Sequence, residues 1–375
     1  MKILLFSEID PLYSQVNRLH WFLRALKGHE ITLIALRDTS KTRQVFTQEE
    51  FPTIYLNRDG ESPKKCDAFP SIYINRFLKE YKGGTWDVLF SYDGLRLSAQ
   101  LAQRLKLPFV YDLCDDLAHM VSTTPHLPPI ARPIAYLVAK FYTWRNISLA
   151  NRVVSTHHTL FDEYSRDTAK YSYIPNGYAW EESTDCSTYT LPEKQQDEKR
   201  ILYIGTLREF FDIQGVVEES RTWPVQYRLV IVGEEGASEE LKSQLKQLND
   251  DGKIHWLPYV PHGCLPEVMK TCDVGIIPYK MTPTANKAFP LKLVEYASQG
   301  LRIVSTPVRI VSEVFGEITT MKDPAETWLQ AIERSMIHPE TSEKITAFVA
   351  PYTWDRIGED LNSILEEVLN ESNKK

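Results

Sequence analysis

No run of about 18 or more apolar residues occurs anywhere in this chain, so a membrane-spanning helix is not expected. The opening MKILLFSEIDP turns acidic at Glu8, which fits a first strand and not the apolar core of a secretory leader. Cysteine is scarce: five residues, at 66, 114, 186, 264 and 272, with no CxxC pair. An odd, scattered set predicts reduced thiols in a cytoplasm and argues against a disulfide frame or a zinc site. There is no low-complexity tract and no repeat. Nowhere does basic charge reach the density of a nucleic-acid binder, so no nucleic-acid partner is expected.

What is present is an ordinary globular composition, 43% hydrophobic and 25% charged, over 375 residues, enough for two domains and a large core. The net charge of −7 is uneven. Residues 1–177 carry 22 Lys/Arg against 18 Asp/Glu; the remainder carries 21 against 32. A mildly basic first half can face an anionic partner such as a phospholipid surface or a lipid pyrophosphate, although chance is the simpler account.

The most informative stretch is Phe289 to Thr306, FPLKLVEYASQGLRIVST. It reads as a helix over Leu291 to Gln299, stopped by Gly300, with a strand at Arg302 to Ser305. Pro290 suits the helix start because its missing N–H costs nothing there. The N-terminal end, at Pro290 and Leu291, offers backbone N–H groups and partial positive charge to a phosphate, and Lys292 adds a cation. Glu295, one turn on, is placed to accept two hydroxyl hydrogen bonds from a ribose. An ordinary α/β helix with a solvated Lys/Glu pair fits the spacing equally well.

The pattern Pro-Leu-Lys-Leu-Val-Glu-Tyr-Ala-x-x-Gly-x-x-Ile-Val-Ser-Thr resembles the donor segment of glycosyltransferase family 4, in the variant of teichuronic-acid-type polysaccharide transferases. The resemblance implies the GT-B fold, a nucleotide-sugar donor and a ribose bound by Glu295. The family often has a second glutamate, eight residues earlier, on the donor sugar. Lys287 stands at that place here.

Taken from the start, Ile3 to Phe6 reads as a buried strand, Val16 to Lys27 as a helix closed by Gly28, and Ile31 to Leu36 as a second strand. The loop Ser7 to Ser14 lacks the Gly-Gly pair the family commonly carries there. After a poorly patterned stretch over 38–70 come a helix at Ser71 to Tyr81 and a strand at Trp86 to Phe90. The exit loop of that strand is Ser91 to Gly94. A helix at Leu95 to Leu105 and a strand at Pro108 to Tyr111 follow. Alternation of this kind predicts a parallel sheet with ligands at the strand C-terminal ends.

That rule selects the acids after the last of these strands. Asp115 and Asp116 lead, with Asp112 third, as candidates for a general base or an electrostatic partner; helix capping is the other reading. The helix over Pro129 to Leu149 carries apolar Ile134, Leu137, Phe141 and Trp144 with Arg132, Lys140 and Arg145. It suits a membrane surface, but a core helix with a solvated face is the commoner case and is expected here. Adjacent His157 and His158 make a poor metal pair.

Tyr173 to Tyr178 matches the family's "IPNG" exit from the first domain, and the polar run Glu181 to Arg200 reads as linker. A second α/β series then begins. Gly205 and Thr206, at the end of the strand Ile201 to Ile204, let a phosphate approach backbone N–H groups, and Arg208 is placed to join them. By resemblance, Tyr259 and Val260 border the nucleobase, and "CDVGIIPY" precedes the donor segment in the family's order. The helix over Tyr352 to Leu369 is expected to return to the first domain.

The expected architecture is therefore α/β of the GT-B type, with two Rossmann-like domains facing across a cleft. Residues 1–177 with 352–375 form an acceptor domain and 178–351 a nucleotide-sugar domain. The expected reaction moves a sugar, hexosyltransferase-fashion, from a UDP-linked donor to a saccharide or lipid-linked saccharide in cell-surface polysaccharide synthesis. If configuration inverts, Asp115 or Asp116 deprotonates the acceptor; if it is retained, the acid orients the acceptor. No cofactor beyond the donor substrate and no metal are expected. The expected place is the cytoplasm, with a peripheral contact on the membrane's cytoplasmic face. A non-catalytic nucleotide-sugar-binding subunit and a GT-B-fold epimerase are the alternatives.

Overall fold

The computed structural model describes every residue except 13–16, 39–51, 64–65, 67–68, 82–83, 124–126, 181–184, 338–340 and 375. The apolar runs become two parallel sheets. The first holds β1 (Lys2–Ser7), β2 (Glu30–Ala35), β3 (Thr53–Tyr55), β4 (Val88–Tyr92), β5 (Phe109–Leu113), β6 (Arg152–Ser155) and β7 (Tyr171–Tyr173), in the order β3-β2-β1-β4-β5-β6-β7. The second holds β8 (Lys199–Ile204), β9 (Tyr227–Val232), β10 (Ile254–Leu257), β11 (Val274–Ile277), β12 (Arg302–Ser305) and β13 (Thr319–Met321), in the order β10-β9-β8-β11-β12-β13. Central strands are buried on both faces, which is why they read as continuous Val/Ile/Leu/Phe runs instead of alternating ones. Ile3 of β1 pairs with Ile31 on one side and Val88 on the other, and Ile3 to Phe6 are fully buried.

Each sheet belongs to one compact unit: Met1–Asn176 with Trp354–Lys375, and Gly177–Thr353. Both sheets grow outward from a central strand and then reverse, between β1 and β4 in the first and between β8 and β11 in the second. Such a reversal opens a crevice at the strand C-terminal ends, where parallel α/β folds take their ligands. It falls at Glu8 and Asp93 in the first unit. In the second it falls at Gly205 and Pro278.

Helix Trp354–Asn373 completes the first unit by packing on helix Asn17–Ala25. Trp354 stacks on Trp21 with ring centroids 6.0 Å apart and stands edge-on to Phe22 at 6.1 Å. Gly358 lets the helices approach, since a Cβ there would lie 2.4 Å from that of Ala25. Among the described residues no helix is long and apolar enough to cross a membrane.

Four expectations need correction. Ser91 and Tyr92 belong to β4, not to its exit loop, and Asp112 belongs to β5, so both strands run two residues further than their most apolar segments. The cysteines are not all thiols: Cys186 and Cys264 form a disulfide, which odd number and scattered spacing could not reveal for partners 78 positions apart. The segment Pro129 to Leu149 opens with a single 3-10 turn, Pro129–Ala131, before helix Arg132–Leu149. That helix also presents the opposite face to the one expected. Its buried residues are Ala139, Thr143, Asn146 and Ile147, while Ile134 (66% exposed), Leu137 (64%), Phe141 (49%) and Trp144 (48%) face outward. Val16, much of the 38–70 stretch and parts of the Ser7 to Ser14 and Glu181 to Arg200 segments lie outside the described residues.

Candidate functional site

In the second unit the segment expected to hold the donor forms helix Leu291–Ser298, with Pro290 at its N-cap and Gly300 at φ +69 just beyond it. The left-handed Gly300 donates its N–H to Ala297 O at 2.9 Å, while Leu301 donates to Tyr296 O at 3.1 Å, which closes the helix sharply before β12. Tyr296 fixes this helix to the sheet. Its hydroxyl accepts from Ile204 N at 2.8 Å, and its ring fills the space left by Gly275, where a Cβ would lie 2.4 Å from ring carbon. The glycine of "CDVGIIPY", Gly275, is thus a packing requirement of Tyr296.

Helix Leu291–Ser298 presents Lys292 to the reversal point of the sheet. Lys292 lies directly against Gly205, whose φ is +130 and where a Cβ would sit 2.3 Å from Lys292 Cε. The Lys292 ammonium is 4.4 Å from the centre of the Phe211 ring and 5.8 Å from that of Tyr203. Desolvation among these rings lowers its pKa to about 8, against the opposing pull of Glu295. Glu295 is buried and its Oε1 lies 3.3 Å from His262 Nε2. His262 in turn stacks on Trp180, whose Nε1 donates to Ser298 Oγ at 3.1 Å. The Cys186–Cys264 disulfide joins the same two segments. Sequence reasoning missed His262 and Trp180, because only the fold brings them to Glu295.

The remaining donor-side candidates divide. Gly205 and Lys292 meet, with Glu295 one turn away, and Thr206 follows Gly205 with its carbonyl accepting from Tyr203 OH at 2.6 Å. Pro290 and Leu291 begin the helix as expected, and Leu291 N donates to Phe289 O at 3.0 Å. Arg208 is exposed and ion-paired with Glu235, so an anion would have to take it from that partner. Tyr259 is exposed and stands edge-on to Tyr189, but Val260 is buried in the core of the unit and offers no side chain to a base. Lys287 ends the 3-10 turn Ala285–Lys287 ahead of the helix.

In the first unit the three acids part company. Asp112 is fully buried in β5 and held by Arg18 through two hydrogen bonds of 2.9 Å. Arg18 also donates to the carbonyls of Ile174 and Pro175 and to Asn176 Oδ1, tying helix Asn17–Ala25 to the "IPNG" segment. Asp112 is therefore committed to an ion pair and is not an available base. Asp116 Oδ1 accepts from His119 N at 3.1 Å and caps helix Leu117–Thr123, which is the capping alternative realised. Asp115 alone of the three is exposed. Desolvation raises its pKa, with Asp112 and Asp116 adding repulsion and Arg18 opposing them.

Asp93, which the sequence did not single out, stands at the reversal point. It is 7% exposed, adopts a left-handed φ of +48, and its Oδ1 is a buried oxygen with no hydrogen-bond partner. Desolvation drives its pKa well up, and repulsion from Asp115, Asp112 and Glu8 acts the same way. Next to it, Gly94 has no room for a Cβ, which would lie 1.9 Å from Ser98 Oγ, and its carbonyl accepts from Tyr111 OH and Asn146 Nδ2. Ligating atoms of Asp93, Cys114 and Asp115 lie within 4.8 Å of one another. Burial and the neighbouring acids push the Cys114 thiol well up and keep it protonated, so this trio is a poor cation site. His157 is buried and its Nδ1 accepts from Thr159 N, capping the short helix His158–Asp162.

Comparison with known proteins places this geometry. Residues 192–350 match the family described as glycosyl transferases group 1. The O-antigen chain mannosyltransferase B of Escherichia coli is 27% identical over 128 residues, which span 33% of this chain and 32% of that protein. Among solved structures, sucrose-phosphate synthase of Thermosynechococcus elongatus superposes with a TM-score of 0.70 at 14% identity, covering 99% of each chain. HepE of Anabaena, solved with UDP, superposes with a TM-score of 0.67 at 15% identity, covering 98% of this chain and all of that one. The fold is thus that of GT-B proteins, with two Rossmann-like α/β units, and the match to the glycosyl transferases group 1 model falls within the second unit.

Proposed function

We propose that the chain is a glycosyltransferase that takes a sugar from a UDP-linked donor and delivers it to a saccharide or lipid-linked saccharide of a cell-surface polysaccharide. The observation that carries the reading is the meeting of Gly205, Lys292 and Glu295 at the reversal of the second sheet. An open backbone, a partly desolvated ammonium and a buried carboxylate one turn apart match a diphosphate and its ribose. The solved neighbour bound to UDP and the partial match to an O-antigen transferase support the nucleotide and the acceptor class.

In this reading Lys292 and the Gly205–Thr206 backbone hold the diphosphate. They stabilise the negative charge that develops there as the sugar departs, which is where fixed charges contribute most to catalysis. Glu295 receives the ribose hydroxyls, with Tyr259 beside the base. Asp115 is the carboxylate that orients or deprotonates the acceptor hydroxyl, because Asp112 and Asp116 are already engaged.

Calorimetric titration with UDP and with GDP tests the donor site. UDP should bind and GDP should bind at least about tenfold more weakly. Glu295→Ala should lose on the order of 2–3 kcal/mol of UDP affinity, as expected for hydrogen bonds to a charged group. Absence of binding by either nucleotide would remove the transferase reading while leaving the fold.

A further inference from the structure

We propose that the outer face of helix Arg132–Leu149 docks on an anionic phospholipid surface. Ile130, Ile134, Leu137, Val138, Phe141 and Trp144 recur at intervals of three and four, and all are exposed. They form one stripe on the side of the helix opposite the buried Ala139, Thr143, Asn146 and Ile147. The exposed positions on this helix are Pro133, Ile134, Leu137, Val138, Phe141, Trp144 and, as the one polar residue, Ser148. Met120, on the neighbouring helix Leu117–Thr123, is also exposed, and the two helices pack together. A contiguous apolar face of this kind on a water-soluble fold marks an interaction surface, not a core element.

Charge decides the occupant. The sequence has no Asp or Glu from Leu117 to Phe161, whereas Arg132, Lys140, Arg145 and Arg152 fall in the same span. Lys140 and Arg145 are half-buried on the same helix, and the Lys140 ammonium rests 5.7 Å from the centre of the Tyr136 ring and 5.9 Å from that of Tyr164; long basic side chains so placed can reach a headgroup layer. Apolar residues with aromatic Phe141 and Trp144 at the centre and cations beside them form the pattern of a helix lying in an interface. A protein partner of mixed charge would call for acids as well as bases on the stripe itself, and its exposed positions carry no acid. The inference deepens the proposed function, because a lipid-linked acceptor is met at such a surface. Its test does not depend on the donor.

Flotation of the full chain with vesicles tests it. Vesicles of phosphatidylcholine with about one third phosphatidylglycerol should carry the protein, and pure phosphatidylcholine should carry far less. Lys140→Glu with Arg145→Glu should weaken partitioning by at least about 25-fold, from roughly fivefold for each basic charge removed near an anionic surface. Ile134→Ser with Leu137→Ser and Phe141→Ser should abolish it. All of these positions lie outside the core, so unchanged thermal unfolding of each variant confirms that folding is intact. As a second readout, brominated lipid should quench Trp144 in the wild type, and the quenched fraction should drop in Trp144→Phe. Equal binding to both vesicle types would overturn the anionic requirement. Failure of the wild type to float, or self-association of the wild type that the triple variant removes, would overturn the proposal in favour of a protein interface. UDP binding that persists in the variants would separate this outcome from failure of the donor site.

Discussion

At the scale of single residues, Lys292 shows how the fold sets a charge. In water its ammonium would hold its proton beyond pH 10, but the rings of Phe211 and Tyr203 and the backbone at Gly205 exclude solvent and bring the pKa to about 8. A diphosphate binds the protonated form. Binding therefore raises the Lys292 pKa, and affinity is flat below about pH 8 and falls above it by up to roughly tenfold per unit. UDP titrations between about pH 7 and 9 should show that fall in the wild type, beyond whatever change Lys292→Met retains. A wild-type profile parallel to that of Lys292→Met would take the lysine away from the phosphates. Asp93 and Asp112 carry the complementary lesson. Both sit among acids at strand ends, but one has an unpartnered oxygen and the other a bidentate arginine. Neither fact is legible from a string of residues, because Arg18 lies 94 positions from Asp112 and the reversal point exists only once strand order is known.

Among elements, the second unit was the more readable. Strands Lys199–Ile204 and Arg302–Ser305 fall where apolar runs put them, because a strand buried on both faces advertises itself by composition alone. Helix Leu291–Ser298 was equally plain, with Pro290 before it and Gly300 after it. Helix Arg132–Leu149 was legible as an element but not in its orientation. Periodicity identifies an apolar stripe without saying whether the protein or something else covers it, and here the small and polar side, from Ala139 to Asn146, meets the core. The disulfide was invisible for a different reason. Cys186 and Cys264 are joined because the segment around Trp180 lies over the turn that carries His262. The bond predicts a count: alkylation of unfolded, unreduced protein should label three cysteines, Cys66, Cys114 and Cys272, and prior treatment with dithiothreitol should raise this to five. Five labels without reductant would show the pair to be open. Where it is closed, it should add about 2–4 kcal/mol to the stability of the second unit by restricting its unfolded chain.

For the whole molecule, chain order and spatial order differ. The first unit is built from residues 1–176 and finished by residues 354–375. Gly358 is the contact that tests this arrangement. Gly358→Leu would force the helix away from Ala25 and should cost about 1–3 kcal/mol, the usual effect of overpacking a tight helix crossing. Thermal unfolding followed through Trp21 and Trp354 should shift downward, while UDP affinity at low temperature should stay at the wild-type level. A variant as stable as the parent would show that the last helix is an accessory and not a part of the first unit's core.

That arrangement also inverts the order in which the protein can be completed as it is made. Residues 1–176 wait for helix Trp354–Asn373 until it has been synthesised, whereas everything from Gly177 to Thr353 is made before it. At about 5–20 residues per second the wait is roughly 10 to 40 s, during which Trp21 and Phe22 lack the cover of Trp354 and any chaperone that samples nascent chains has time to find them.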